Sequence, residues 1–345
     1  MKRMKGIQKL IMSTEDTNTI KTNWKQILRE SPEVSKRAAQ KFQISKKWFG
    51  PAPELFPFKL NGYWLRLITA PDDPIGVQTF PDEKEFQETA SASVDPLQEE
   101  RYRKAPLIIH RYRDRALFLV SNTCAVYCRF CTRRRQVGRP PFPRQIQIME
   151  SLNYLRAHTE IRDVILSGGD PLMLSDSRIR RLLVQLRRLP QIKILRIGTR
   201  MPVTLPQRIT EPLVKILRHF QPLYILTQFN HPAEMTSESR RACTLLVEHG
   251  LPVLNQSVLL KGVNDDPEVL LDLMRKLVEI RVIPYYLHQL DPVRGALHFR
   301  VPVEKGREIM QYLWAHTGGM AVPTYVFDNP EAPGKIPLYP CAGQS

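Results

Sequence analysis

The chain has 345 residues, of which 42% are hydrophobic, and 51 basic against 34 acidic residues give it a net charge of +17. This length is enough to bury a large core, as one big domain or as one domain with an appendage. No run of 18 apolar residues occurs, and the basic residues 1–9 lead into only three apolar ones, which argues against a membrane-spanning helix or a secretory signal. We therefore expect a cytoplasmic protein, in which thiols stay reduced.

Residues 1–105 carry few motifs, with no repeat and no low-complexity tract. Residues 24–42 are predicted to be helical, residues 49–57 are rich in proline, and residues 70–95 are predicted to be irregular. We interpret this region as a mostly helical N-terminal cap that packs on the domain that follows.

From residue 116 onward, strand-like runs alternate six times with amphipathic helical runs, which predicts parallel strands joined by crossover helices. The predicted strands cover residues 116–122, 163–166, 194–197, 223–227, 252–256 and 283–290. The predicted helices include residues 177–189, 211–220, 237–249, 268–280 and 303–316. The pattern predicts an α/β fold, a partial (β/α)6 barrel of the TIM type over residues 106–330, followed by a C-terminal segment at 331–345.

In barrels of this kind the chemistry lies at the carboxyl ends of the strands. Polar or reactive residues follow five of the six predicted strands directly. In chain order they are Cys124, then Ser167, Gly168, Gly169 and Asp170, then Arg200, then Asn230 and His231, and finally Asp291. The sequence therefore predicts that these residues share one rim of the barrel.

Three cysteines lie within eight residues of one predicted loop, at Cys124, Cys128 and Cys131. Three thiols so close together cannot pair among themselves as a disulfide framework. Because a 4Fe-4S cluster normally takes four thiolates, three of them would leave one iron free to bind a substrate or cofactor. A zinc site with His110 or His231 as the fourth ligand, and unligated thiols, are the alternatives. The aromatic Phe130 before the last cysteine favours the cluster.

The charge of +17 raises nucleic acid as a partner. Five of the arginines lie on the polar side of the predicted helix at 177–189, where a solvated helix face is the favoured interpretation. Another three, Arg133, Arg134 and Arg135, follow Cys131 directly and are expected to face an anionic site.

The CxxxCxxC spacing with an aromatic residue before its last cysteine resembles the signature of radical S-adenosylmethionine (SAM) enzymes. Six further motifs resemble lysine 2,3-aminomutases, and the resemblance runs in order from about residue 95 to residue 340. The motifs are CTRRR at 131–135, LSGGDPL at 166–172, RIGTR at 196–200, NQSVLL at 255–260, PYY at 284–286 and VPTYVFD at 322–328.

The resemblance implies that the three cysteines hold a 4Fe-4S cluster whose open iron binds SAM. It also implies that four residues form the element that contacts the methionine amino group of SAM, namely Ser167, Gly168, Gly169 and Asp170. Without the resemblance this glycine pair indicates only a tight turn. Gln256 resembles the residue that binds the SAM ribose, and Gln228 stands where relatives can have a histidine near the adenine.

The resemblance further implies a pyridoxal 5′-phosphate (PLP) site. Arg111, Tyr112 and Arg115 match the residues that hold the PLP phosphate, although alone they read as a charged strand entrance. Lys335 matches the lysine that binds PLP covalently. Glu331, Ala332 and Pro333 stand before it where longer family members have a glycine run, which predicts a stiffer loop.

For the substrate, the resemblance implies that Asp291 and Asp328 grip the distal ammonium of L-lysine while Arg133 pairs with its carboxylate. Each aspartate alone could be a helix cap or a turn former. Two carboxylates at the far end of a pocket favour a cationic substrate, which argues against glutamate and leaves arginine open.

The implied activity is that of an isomerase, an L-lysine 2,3-aminomutase that moves the amino group from C2 to C3 to give β-lysine, with a reductant such as flavodoxin or ferredoxin as a partner. The alternatives are β-lysine synthesis for elongation factor P, an arginine or glutamate aminomutase, a radical SAM enzyme acting on RNA, and a non-catalytic iron-sulfur or zinc protein. Asp266 occupies the place of a zinc-binding cysteine of longer relatives, so their zinc site is unsupported. Association into a homo-oligomer is open.

Overall fold

The computed structural model describes residues 23–49, 56–87 and 92–339. Within these residues one sheet of ten strands follows the order of the chain. The strands are β1 (Arg103–Ala105), β2 (Ile108–Tyr112), β3 (Arg115–Ser121), β4 (Asp163–Gly168), β5 (Ile194–Gly198), β6 (Leu223–Thr227), β7 (Val253–Leu259), β8 (Ile283–Gln289), β9 (Thr324–Phe327) and β10 (Ile336–Pro337). Neighbours from β3 to β9 are parallel, whereas the β1–β2, β2–β3 and β9–β10 pairs are antiparallel.

A crossover helix follows each parallel strand from β3 to β8. The helices are α1 (Trp24–Lys41), α2 (Gly62–Leu67), α3 (Pro74–Val77), α4 (Gln145–Ala157), α5 (Asp176–Arg187), α6 (Met201–Thr204), α7 (Glu211–Arg218), α8 (Ser237–Glu248), α9 (Pro267–Glu279) and α10 (Val303–His316). The crossovers are α4, α5, α7, α8, α9 and α10. None of the helices in the described part of the chain has the length and apolarity to span a membrane.

The sheet is an open barrel. Its strand order begins at β1 and ends at β10, and no pairing between these two strands is found in the described residues. Six strand-helix units precede β9, which adds a seventh parallel strand. The predicted partial (β/α)6 barrel is therefore confirmed.

The strands alternate between side chains that pack on the helices and side chains that face the barrel interior. In β7, Asn255 and Ser257 are buried, whereas Gln256 and Val258 are partly exposed and line the interior cavity. Successive side chains of a strand point to opposite faces, so this alternation is the expected pattern. The same period places residues of β4 and β5 in the cavity, namely Ile165, Ser167, Arg196 and Gly198.

The crossover helices begin at polar caps and bury one apolar stripe. Ser175 accepts a hydrogen bond from Arg178 N–H at the start of α5, and this helix buries Ile179, Leu182, Leu183 and Leu186. Asp266 accepts one from Glu268 N–H (2.8 Å) at the start of α9. Asp266 thus has a local structural role as a helix cap.

The sequence predicted most element positions to within one to three residues. The strands at 194–197 and 223–227 and the helix at 303–316 are found nearly as predicted. The predicted strand at 252–256 runs further, to Leu259, and the short strands β1, β2, β9 and β10 were not predicted. The basic residues 1–9, most of the proline-rich stretch at 49–57 and the end of the C-terminal segment lie outside the described residues. The division into a cap, a barrel and a C-terminal segment stays a prediction.

The N-terminal region packs directly against the cysteine loop. Lys59 Nζ donates to the Cys124 carbonyl (2.9 Å), and Tyr127 N–H donates to the Lys59 carbonyl (3.0 Å). Asn61, which is fully buried, donates to the carbonyls of Ala125 and Thr204 (3.4 and 2.9 Å). Residues 56–87 therefore hold the backbone of this loop in place.

A buried ion pair joins the same two regions. Arg129 in the cysteine loop is fully buried and binds Glu85 through a fork, with Nε–Oε1 and Nη2–Oε2 distances of 2.8 and 2.7 Å. Arg134 also donates to Glu85. Both guanidinium groups would lose their carboxylate partner if Glu85 were removed.

Replacing Glu85 with alanine is expected to lower the free energy of unfolding by about 3–5 kcal/mol, because it leaves a buried charge unpaired. Urea denaturation measures this. The matched control is Glu83→Ala, since Glu83 makes an exposed pair with Lys47 (71% and 39% exposed side chains), which is worth roughly 0–1 kcal/mol. Equal losses in both variants would contradict the prediction.

Candidate active site

A cavity of about 590 Å³ lies inside the open barrel. Every residue that the sequence analysis singled out for a cofactor or for the substrate lines it. These residues are Arg111, Tyr112, Arg115, Cys124, Cys128, Cys131, Arg133, Ser167, Gly168, Gly169, Asp170, Gln228, Gln256, Asp291, Asp328 and Lys335. Their side chains come from eight segments of the chain, so the fold brings together residues that are far apart in sequence.

The three cysteines lie on the loop that follows β3. Burial raises the pKa of the Cys124 thiol well above its ordinary value, and nearby Asp170, Cys131 and Cys128 raise it further. Burial, and then Cys128, raises the pKa of Cys131 to about 11. These sulfurs repel one another as thiolates, and bound iron relieves that repulsion because thiolates are its ligands.

The donor set fits a 4Fe-4S cluster. In the described residues, no group of three or more histidine, cysteine or acidic side chains is arranged to hold a single metal ion. A cluster does not need such a group, because each thiolate binds a different iron. Three soft sulfur donors on the wall of one cavity match this requirement.

Arg200, two residues after the end of β5, makes contacts that the sequence did not predict. Its Nη1 donates to Cys128 Sγ (2.8 Å), and its Nη2 donates to Gln78 Oε1 (2.6 Å) and Glu234 Oε1 (3.0 Å). Burial alone would lower its pKa, but Cys128 and Glu234 outweigh burial and raise it. The motif RIGTR contained the residue, but its partners come from three distant loops.

The glycine pair after β4 packs against the start of the cysteine loop. Gly168 has φ +117°, and a Cβ there would lie 2.0 Å from the Ser121 carbonyl oxygen. A Cβ on Gly169 would lie 2.6 Å from the backbone N and O of Thr123. The close approach of the two loops therefore explains why glycine occupies both positions. Contact of this element with SAM stays a prediction.

Asp170 is buried and binds the loop that follows β5. Its carboxylate accepts hydrogen bonds from Thr199 Oγ1 (2.7 Å), Arg200 N–H (2.8 Å) and Leu172 N–H (2.9 Å). Burial raises its pKa, while these donors oppose that shift. Asp170 thus fixes the backbone from which the Arg200 side chain extends.

Arg133 is held by Glu99, a residue that the sequence analysis missed. The Arg133 guanidinium forms a fork on Glu99 Oε1 (2.8 and 2.7 Å), and its Nη1 donates to Ser167 Oγ (3.2 Å). Burial would raise the pKa of Glu99, but Arg133 and Arg135 lower it below its ordinary value. Each arginine of the run after Cys131 therefore has an acidic partner, which no local pattern indicated.

The residues assigned to PLP gather around Asp328. Arg111 Nη1 donates to Asp328 Oδ1 (2.7 Å), and Lys335 Nζ donates to Asp328 Oδ2. The Arg115 guanidinium lies 4.1 Å from the centre of the Tyr112 ring. Burial opposes ionisation of Asp328, but Lys335 and Arg111 outweigh it and lower its pKa. Two guanidinium groups, a phenol and an amine fit a phosphate-bearing aldehyde.

Asp291, just after β8, has a different environment. Its Oδ1 is shielded from solvent and has no hydrogen-bond partner in the described residues. Burial, and then the charge of Asp328, raises its pKa to about 7. His288 also lines this end of the cavity, and burial followed by Lys335 lowers its pKa to about 3. The strand period of β8 could have indicated His288, because it lies two residues after the cavity residue Tyr286 and so faces the same side of the sheet.

The two glutamines face the cavity from β7 and from the loop after β6. Gln256 belongs to the interior set of β7, and the Gln228 carbonyl accepts a hydrogen bond from Arg200 Nε (3.2 Å). Gln228 Nε2 also lies 3.5 Å from Asn230 Oδ1. Their predicted roles at the ribose and the adenine of SAM stay predictions.

An open parallel barrel with a three-cysteine loop at its carboxyl rim defines a radical SAM enzyme. Accordingly, residues 118–274 match the family described as the Radical SAM superfamily. This match covers β4, β5, β6 and β7 as well as the cysteine loop.

Comparison with curated proteins identifies the family within this superfamily. L-lysine 2,3-aminomutase of Clostridium subterminale is 46% identical over 81% of this chain and 68% of its own length. Glutamate 2,3-aminomutase of Clostridioides difficile is 43% identical over 83% and 68%, and L-lysine 2,3-aminomutase of Escherichia coli is 40% identical over 78% of both chains. The chain belongs to the lysine 2,3-aminomutase family.

This membership confirms that the chain is an isomerase and that its cofactors are a 4Fe-4S cluster, SAM and PLP. It also confirms an amino acid as the substrate class. The relatives include both lysine and glutamate enzymes, so the comparisons alone do not choose between these substrates.

Proposed function

We propose that this enzyme converts L-lysine into β-lysine by moving the amino group from C2 to C3. The observation that carries the proposal is the pair of carboxylates in one cavity, Asp291 with its unpartnered Oδ1 and Asp328 beside it. A buried acid without a donor is costly unless a cation pairs with it. A lysine ammonium would supply that cation, whereas the side chain of glutamate would add a third negative charge.

When bound, the cluster and SAM would supply radical chemistry at a substrate hydrogen, and PLP would supply a carrier for the migrating nitrogen. We assign Cys124, Cys128 and Cys131 to the cluster. The residues assigned to SAM are Ser167, Gly168, Gly169, Asp170, Gln228 and Gln256. The protein's contribution is to hold these groups and the substrate in one geometry inside the barrel cavity.

Lys335 binds PLP covalently, and Arg111, Tyr112 and Arg115 hold its phosphate. All three present partners of Asp328 among the described residues, namely Arg111, Lys335 and the Tyr112 hydroxyl (3.5 Å), belong to residues that PLP would take. Loading of PLP would therefore free the Asp328 carboxylate for the substrate ammonium.

Arg133 orients the substrate carboxylate. Its Nε and Nη2 are occupied by Glu99, whereas the Ser167 hydroxyl is the one hydrogen-bond partner of its Nη1 among the described residues. We assign Nη1 to the substrate carboxylate, because a hydroxyl is more easily exchanged for a charged acceptor than a buried carboxylate is.

We also propose a cytoplasmic enzyme that takes its electron from a protein such as flavodoxin or ferredoxin. An external one-electron donor is needed, because the amino shift is redox-neutral and cannot itself supply the electron that reduces the cluster. The arginines Arg178 and Arg181, which line a surface pocket together with residues 121–123, suit an acidic donor. Delivery of β-lysine to elongation factor P stays an alternative, and assembly into a homo-oligomer stays open.

The test is mass spectrometry of the products after anaerobic incubation of cluster-reconstituted protein with SAM, PLP, reductant and one of three amino acids. We expect β-lysine from L-lysine, and little product from L-arginine or L-glutamate. β-Glutamate as the main product would overturn the lysine assignment. Formation of 5′-deoxyadenosine without any β-amino acid would overturn the aminomutase reaction while keeping radical chemistry.

A further inference from the structure

The Arg200 side chain points at a cluster cysteine and is locked in that position. Nη1 lies 2.8 Å from Cys128 Sγ, Nε donates to the Gln228 carbonyl (3.2 Å), and Nη2 donates to Gln78 and Glu234. Only 8% of the residue is exposed. The three guanidinium nitrogens are thus all engaged, and one of them is directed at sulfur.

Two aromatic rings and a buried carboxylate surround this guanidinium. Its centre lies 5.3 Å from the Trp64 ring and 5.5 Å from the Phe130 ring. Glu234 is fully buried and accepts further hydrogen bonds from Asn230 N–H (2.9 Å) and Gln78 Nε2 (2.7 Å). Such a scaffold costs free energy to build around a charge, which points to a function for the contact.

The other cations near the cysteines are directed elsewhere. Lys59 Nζ donates to the backbone carbonyl of Cys124, and Arg133 and Arg134 bind Glu99 and Glu85. Within residues 23–49, 56–87 and 92–339, Arg200 is therefore the side-chain cation whose hydrogen bond ends on a cysteine sulfur.

We propose that Arg200 is a positioning residue that sets the reduction potential of the 4Fe-4S cluster through its hydrogen bond to Cys128. Reduction adds a negative charge to the cluster. A donor and a fixed positive charge at a ligand sulfur stabilise the reduced state and raise the potential, more so in a site of low dielectric constant. The inference rests on the cluster of the proposed function, but it does not depend on which amino acid is the substrate.

The experiment is a redox titration of the reconstituted cluster, followed by electron paramagnetic resonance without any amino acid substrate. Arg200→Met removes both the hydrogen-bond donors and the positive charge. Arg200→Lys keeps the charge but lacks the planar guanidinium group with its several donors. At the wild-type midpoint potential we expect the ratio of reduced to oxidised cluster to be about tenfold lower in Arg200→Met, which is a shift of roughly 59 mV for one electron. Arg200→Lys is expected to shift in the same direction by less.

Arg187→Met is the matched control, because Arg187 binds backbone carbonyls at the opposite rim of the barrel. Its midpoint potential is expected to equal that of the wild type. An Arg200→Met protein with full iron and sulfide content and the wild-type potential would overturn the proposal.

A second measurement decides the matter if Arg200→Met fails to assemble a cluster. Wild-type protein labelled with guanidinium-¹⁵N arginine is reduced and examined by pulsed electron paramagnetic resonance. Hyperfine coupling of the cluster to ¹⁵N supports the contact, and its absence overturns it. Failure of the proposed lysine reaction would change neither readout, so the two failures are distinguishable.

Discussion

Lys335→Ala is expected to abolish β-lysine formation, with a loss on the order of 10³-fold or more, because covalent attachment is what positions PLP in the cavity. Lys335 is partly buried and its amine already points at Asp328. The visible absorbance of lysine-bound PLP should disappear from the purified variant, while its iron and sulfide content stays at the wild-type level. Product assays with L-lysine and absorption spectra measure the two effects separately.

The matched control for this substitution is Lys305→Ala. Lys305 lies on α10, is exposed, and makes a surface pair with Glu308 three residues later. Its removal is expected to leave both the absorbance and the turnover unchanged, since exposed pairs contribute little. A Lys335→Ala enzyme within tenfold of wild-type turnover would show that another group positions PLP.

The order of strands and helices could be predicted because each local pattern agrees with the global fold. Alternating burial in β7 and the apolar stripe of α5 are both visible as periodic residues in the sequence. The strands β9 and β10 have two to four residues, which is too short for a period to be recognised. These two strands form by pairing with the edge of the sheet, β9 with β8 and β10 with β9, which a local sequence pattern does not reveal.

The residues that line the site could be predicted from the sequence, but the contacts that hold their side chains in place could not. The cysteine spacing and the family motifs identified the cavity residues. The acids Glu85, Glu99 and Glu234, which hold the arginines of the site, lie 44, 34 and 34 residues from their partners. No periodic or motif signal links residues at such separations, so these contacts emerge only from the tertiary structure.

Asp291→Asn is expected to raise the KM for L-lysine by roughly 10- to 100-fold, the worth of a charge-assisted hydrogen bond of about 1.5–3 kcal/mol. The carboxylate has no competing donor on Oδ1 to replace the substrate ammonium. Asp266→Asn is the matched control, because Asn caps a helix as well as Asp does. Its KM for lysine is expected to be unchanged.

The same residue predicts a pH dependence. Since burial, and then Asp328, raises the pKa of Asp291 to about 7, the carboxyl of the ligand-free enzyme is protonated at pH 6 and ionised at pH 8. Only the ionised form attracts an ammonium, so kcat/KM for lysine should fall by up to about tenfold per pH unit as the pH drops below the pKa of this carboxyl, and this profile should flatten in Asp291→Asn. His288 does not titrate in this window, because burial and Lys335 lower its pKa to about 3.

The pH dependence of stability has the opposite sign. In the unfolded chain Asp291 ionises near its ordinary pKa of 3.8, whereas in the folded, ligand-free chain it holds its proton up to about 7. Between these values the folded state binds more protons, so the contribution of Asp291 to the free energy of unfolding falls as pH rises. Binding of L-lysine should remove this loss by pairing the carboxylate. Denaturation of wild type and Asp291→Asn at pH 6 and pH 8, each with and without lysine, measures this change in the free energy of unfolding. If lysine stabilised both proteins equally, the assignment of Asp291 to the ammonium would be contradicted.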